Sequence, residues 1–105
     1  MDKLLEIIKA MGIPFAYDHF AEGEAPEPPF ICYLLPDSDN FAADGKVYFK
    51  ANEVHIELYT DTKDLSVEQQ VEAVLDEHGI FYDRSEVWIE SEKLYEVLYS
   101  FEMEA

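Results

Sequence analysis

Apolar positions along this chain switch between helical and strand spacing, and the switches mark out its elements. Leu4, Leu5, Ile8 and Met11 recur at helical spacing over residues 3–11, with Asp2 as the expected N-cap and Gly12 as the stop. Pro14 bars any continuation. Phe15 to Phe20 loosely alternates bulky and polar residues and predicts a first strand. Ala21 to Pro29 (AEGEAPEPP) is rich in proline and glutamate, and proline denies donors to a ladder, so this stretch is a loop. Phe30 to Leu35 (FICYLL) is a continuous apolar run closed by Pro36, the pattern of a strand buried on both faces.

A second loop is expected from Asp37 to Lys46, with Asp44-Gly45 as its turn. Val47 to Thr60 then gives the clearest strand. Val54, Ile56 and Leu58 point to one side, and His55, Glu57 and Tyr59 to the other. Ala51-Asn52 is the expected site of a bulge or bend. The second helix has the strongest local signals. Ser66 and Gln69 form a capping box, Val67, Val71, Val74, Leu75 and His78 make one stripe, and Gly79 closes it. At about 13 residues it should run roughly 20 Å.

Beyond Ile80, Phe81, Tyr82, Val87, Trp88 and Ile89 predict a strand, followed by a turn near Ser91 to Lys93. Tyr95, Val97, Tyr99 and Phe101 then alternate with Glu96, Leu98 and Ser100 on a last strand. Leu94, Val97 and Leu98 also fit a helix over Ser91 to Leu98, but the Tyr, Val and Phe content favours strand. The order is helix, strands, helix, strands. That is an α+β domain: an antiparallel sheet of four to five strands with two helices packed on it. At 105 residues it is one domain, spanning residues 1–105.

Charge changes this picture more than composition does. Twenty-four acids face seven bases, for a net charge of −17, yet 49% of the residues are hydrophobic. A disordered acidic tail would lack that apolar content, so the chain folds. Lys3, Lys9, Lys46, Lys50, Lys63, Arg84 and Lys93 are scattered among acids, with no basic stripe to grip DNA or RNA. No apolar stretch approaches the roughly 20 residues of a membrane span, and no basic region followed by an apolar one opens the chain. The expected compartment is the cytoplasm.

Catalytic and metal chemistry find no motif. Asp37-Ser38-Asp39-Asn40-Phe41 starts like a calcium loop, but Phe41, Ala42 and Tyr48 occupy the positions where an oxygen ligand, glycine and glutamate are needed. His19, His55 and His78 lie on different elements without metal-site spacing. The single cysteine, Cys32, sits in an apolar run and reads as a buried thiol. No phosphate-binding glycine motif occurs. The expectation is a protein that is not an enzyme and holds no cofactor and no metal.

Three stretches carry a resemblance. The first is Tyr17-Asp18-His19-Phe20, leading through the acidic proline loop to Pro28-Pro29-Phe30-Ile31-Cys32-Tyr33-Leu34. The second is Val54-His55-Ile56-Glu57-Leu58-Tyr59-Thr60-Asp61 with Lys63-Asp64 and the helix after it. The third is Trp88-Ile89-Glu90-Ser91-Glu92-Lys93-Leu94-Tyr95-Glu96-Val97. Together they resemble the tail terminator (tail completion) family of long-tailed bacteriophages and prophages of Gram-positive bacteria.

The resemblance implies a structural protein that forms a ring, expected to be a hexamer, on the end of the tail tube. The ring ends tube polymerisation and joins tail to head. Its expected partners are copies of itself, the major tail tube protein and the head-closure (connector) protein. DNA passes through such a ring without being bound, since carboxylates repel phosphates. The implied location is the host cytoplasm during assembly and the virion tail afterwards. The acidic loops offer candidate assembly or lumen-facing residues: Glu22, Glu24 and Glu27 in the first, Asp37, Asp39 and Asp44 in the second. Other small head-to-tail joining proteins share this size and element order. An acidic inhibitor that mimics DNA to block a host nuclease fits the composition equally well.

Overall fold

A computed structural model describes residues 2–36, 38–43 and 46–104, with side chains described for 3–36 and 52–103. The elements are α1 (Asp2–Ala10), β1 (Phe15–Tyr17), β2 (Phe30–Leu34), β3 (Ser38–Ala43), β4 (Lys46–Thr60), α2 (Leu65–Glu77), β5 (Asp83–Ile89) and β6 (Leu94–Glu104). The class is α+β, with six strands in one sheet ordered β1-β2-β4-β6-β5 and β3 added on β4. The sheet is mixed, not wholly antiparallel as expected. β1 runs parallel to β2, with Phe15 beside Ile31 and Tyr17 beside Tyr33. The proline loop makes this possible, because a parallel neighbour requires a crossover of about a dozen residues, and residues 18–29 supply it.

Both helices pack on one face of the sheet. Ile31, Leu58 and Val97 form a row across three strands, and Val54 lies opposite Phe101. Leu4, Ile7, Ile8 and Met11 of the first helical segment join Val71, Val74 and Leu75 of α2 above them, all buried. Ile7, and not the half-buried Leu5, completes the α1 stripe. Asp2 is the first helical residue rather than a cap outside the helix. The helix ends as expected at Gly12, whose φ of 71° suits a residue without Cβ. Gln70 of α2 donates to the Met11 carbonyl there at 2.5 Å, tying the two helices together.

The cap of α2 differs from the expected capping box. Asp64 is the N-cap, and its Oδ1 accepts from the Ser66 and Val67 amides at 3.1 and 3.2 Å. A carboxylate satisfies two orphan amides and complements the helix dipole, so it displaces the hydroxyl two residues further in. His78 lies outside the buried stripe as the exposed C-cap residue, its Nδ1 donating to the Val74 carbonyl at 2.9 Å.

Strand lengths depart from expectation in three places. β1 stops at Tyr17 because Asp18 turns to φ 66°. β5 begins at Asp83, and Phe81 before it is 93% exposed. Most consequentially, the expected second loop contains β3, which pairs with β4 from Ser38↔Asn52 to Ala43↔Lys46. The expected turn at Asp44-Gly45 lies outside the described residues, between those two strands. No break occurs at Ala51-Asn52; the register shift falls between Phe41 and Ala42. The expected turn before the last strand is present, with Lys93 at φ 54° and its amide bonded to the Glu90 carbonyl.

β2 and β3 lie on the same edge of β4, since β6 fills the other from Ala51 to Thr60. Residues 46–50 of β4 therefore run past the end of β6 and pair with β3 alone among the described residues. Five strand residues project by roughly 16 Å. The shape agrees: a radius of gyration of 15.0 Å and extents of 50 × 29 × 23 Å, against about 13 Å for an ordinary compact domain of this length. The molecule is a two-layer body with a two-stranded arm.

Candidate assembly surface

Among the described residues, no helix covers the face of the sheet opposite α1 and α2. Strand alternation assigns it residue by residue. Phe30, Cys32 and Leu34 come from β2, His55, Glu57 and Tyr59 from β4, Glu96, Leu98 and Ser100 from β6, and Asp83, Ser85 and Val87 from β5. Cys32 lies beside Glu57, which lies beside Leu98, so a carboxylate sits at the centre between apolar neighbours.

That carboxylate is held in an adverse setting. Partial burial pushes the Glu57 carboxyl above its usual range, and the negative charge of Glu96 adds to the push. The Tyr59 hydroxyl donates to Glu57 Oε1 at 3.0 Å and lies 3.3 Å from Glu96 Oε2, so one proton serves two acids. Burial also pushes the Cys32 thiol up, to about 11, with Glu57 next in effect. Cys32 is thus a neutral thiol at physiological pH, the unreactive form. Its expected burial holds.

The two ends of the face differ. At one end Phe20 meets Phe30 edge to face and Phe30 stacks on Tyr59, with ring centroids 5.5 and 5.2 Å apart. At the other, next to the root of the arm, is a hollow of ≈140 Å³ lined by Glu53, Asp83, Ser100, Phe101 and Glu102. Glu53 Oε1 lies 3.0 Å from His55 Nε2. Among the described residues this face carries five carboxylates (Glu53, Glu57, Asp83, Glu96 and Glu102) and neither Lys nor Arg. No three acids, cysteines or histidines among the described residues converge to hold a metal ion.

No protein-family model matches this chain, and no curated protein matches it. The site therefore stands on its own geometry.

Basic side chains gather on the other side of the molecule instead. Arg84 of β5 donates to Glu68 of α2 and, at 3.0 Å, to Glu86, while Lys63 lies 2.7 Å from both Glu68 and Glu86. Glu68 is 3% exposed, so its charge is matched within the protein. These pairs leave Lys63 and Arg84 committed internally and deepen the charge contrast with the open face.

Of the expected assembly residues, Glu22, Glu24 and Glu27 are exposed on the crossover loop. Asp39 lies on β3 opposite Ala51, with its side chain outside the described residues. Asp37 and Asp44 lie outside them altogether. Asp39 stands apart from the crossover-loop glutamates, because β3 continues β2 away from the end where that loop enters it. Sequence alternation had already placed His55, Glu57 and Tyr59 off the core. What it lacked was the strand order that sets Glu96 and Cys32 beside them. Among the described residues, no helix is long and apolar enough to cross a membrane.

Proposed function

We propose that this protein is a structural subunit of phage or prophage tail assembly. It closes into a ring on the end of the tail tube, stops the tube growing and provides the face to which the head is joined. One observation carries this reading. The subunit has two unlike surfaces, a projecting two-stranded arm and an uncovered acidic sheet face, and head-to-tail ring contacts require two dissimilar patches on each copy. The resemblance in three stretches spanning most of the chain supports the family. The net charge of −17 supports the passage of DNA, because carboxylates facing a channel repel phosphates spaced roughly 1.7 Å apart along the duplex.

On this reading the partners are other copies, expected to number six, the tube protein and the head-closure protein. The protein works in the host cytoplasm during assembly and in the virion tail thereafter, with no cofactor and no reaction to catalyse. Deleting the gene should give tails of uncontrolled length without heads, seen by negative-stain microscopy of the lysate. Normal virions from the deletion would end this reading.

The five carboxylates of the open face favour a second reading, an inhibitor that mimics DNA and binds a basic nuclease. Such a protein would stay monomeric or dimeric and would co-purify with its target, which a ring subunit would not.

A further inference from the structure

β5 is an open edge of the sheet. Among the described residues it pairs with β6 alone, without a register shift, and six of its seven residues are exposed. It contains no proline or glycine, and an unshielded edge of this kind offers its outward amides and carbonyls to a further strand. Three of the five large apolar side chains left exposed among the described residues gather here: Val87 and Trp88 on the strand, and Phe81 just before it. The helix side of this edge is also close to neutral, on a chain of net charge −17. Lys63 and Arg84 meet Glu68 and Glu86 in one cluster, with Glu72 at its margin 3.7 Å from Arg84.

Antiparallel pairing of β5 with β5 of a second copy, about a two-fold axis perpendicular to the sheet, keeps both helix layers on one side. Facing side chains must share a face, so the axis has to pass beside a residue that meets itself. Centring on Arg84 or Glu86 sets like charges against each other, and centring on Trp88 sets Glu86 against Glu90. Centring on Val87 sets Glu86 against Trp88 and leaves Phe81 beyond the ladder. Centring on Ser85 sets Arg84 opposite Glu86 twice and Asp83 opposite Val87 twice. It also brings Tyr82 and Phe81 level with Trp88 and Ile89 of the other copy.

We infer that this chain forms a two-fold dimer through β5, in the register centred on Ser85, with two sheets joined into one. The cross-strand Arg84–Glu86 pairs link the two ion clusters, and the exposed apolar side chains of the edge lose their contact with water. A two-fold contact closes on itself and leaves the arm free, so the inference does not rest on the ring proposal.

Sedimentation velocity at about 0.15 M salt should show wild type in a concentration-dependent equilibrium between monomer and dimer. The dimer should weaken at about 0.01 M, where screening sets in only beyond about 30 Å and the two acidic bodies repel as wholes. F81S and E86K should each raise the dissociation constant about tenfold. E86K lowers the overall repulsion between copies, so weakening by it reports the local contact. Mild oxidation gives a separate reading. On the axis the two Ser85 Cα atoms lie about 5 Å apart, within disulfide reach, so S85C should crosslink to itself. The two Val87 positions are separated by four residues along the strands, roughly 13 Å, so V87C should not. Cys32 is buried, so wild type provides the blank.

A wild type that stays monomeric at millimolar concentration would overturn the inference, and so would one that captures a strand of a different protein on β5 instead. Dimers unmoved by both F81S and E86K, or a crosslink at V87C in place of S85C, would overturn it as well. Each of these outcomes leaves the ring proposal standing, whereas normal virions from the gene deletion sink the ring and leave the dimer.

Discussion

Arg84, on the edge strand β5, donates to Glu68, a helix carboxylate almost wholly removed from water. Arg84 Nε also lies 3.7 Å from Glu72, and Lys63 bridges Glu68 to Glu86, so a small ion-pair cluster fastens the outermost strand to α2. Removing the guanidinium leaves Glu68 with Lys63 alone, and breaking a buried pair on one side is costly because the stranded charge stays desolvated. Since Arg84 is partly exposed and Lys63 remains, R84M should cost about 2 kcal/mol, a fall of about 10 °C in Tm for a domain of this size. E68M/R84M should lie closer to wild type than R84M does. Thermal denaturation of the three variants completes the test, and a harmless R84M would show that the strand is held by its ladder alone.

Glu57 gives a pH-dependent prediction with a definite sign. Its carboxyl holds its proton more tightly in the fold than in the unfolded chain, so ionisation costs stability as the pH rises through the acid range. That cost is complete at neutral pH and disappears once the group is protonated. E57Q should therefore raise Tm at pH 7, with the gain shrinking toward pH 4. A gain that grew on acidification would contradict the account.

Cys32 should be slow to react in the native protein. With the thiol pushed up to about 11 and the side chain buried, little thiolate exists near neutrality. Alkylation at pH 7.5 should be on the order of 100-fold slower than in urea, where the thiol returns to its ordinary range. Rapid native labelling would mean that the β2 region opens readily.

Helix α2 offers a direct contrast between two caps. D64A removes the acceptor for two amides and should cost about 1 kcal/mol, whereas S66A should be nearly silent. Urea midpoints of the two variants decide the matter, and a larger effect at Ser66 would restore the capping box.

Most of the body was legible in the sequence because local period and burial agree there. Val54, Ile56 and Leu58 face the core as their alternation says, and Val71, Val74 and Leu75 do so on α2. Tyr95 to Phe101 is a strand because β-branched and aromatic content outweighs a short helical stripe. Two features were hidden for physical reasons. The parallel pairing of β1 depends on a crossover through the proline loop, which no local period records. β3 reads as a loop because Ser38, Asp39 and Asn40 favour turns, and only pairing with β4 makes them extended. The open face was half visible: its β4 members were assigned, but their neighbours depend on strand order.

The arm is an extension of the central strand and not of an edge. β4 passes from the tip into ten residue pairs with β6, and β2 flanks it on the other side. A pull on the tip along β4 therefore loads these antiparallel ladders in shear, with many hydrogen bonds resisting together, where an edge strand could be peeled one bond at a time. A subunit gripped by its arm would pass tension straight through the middle of its body.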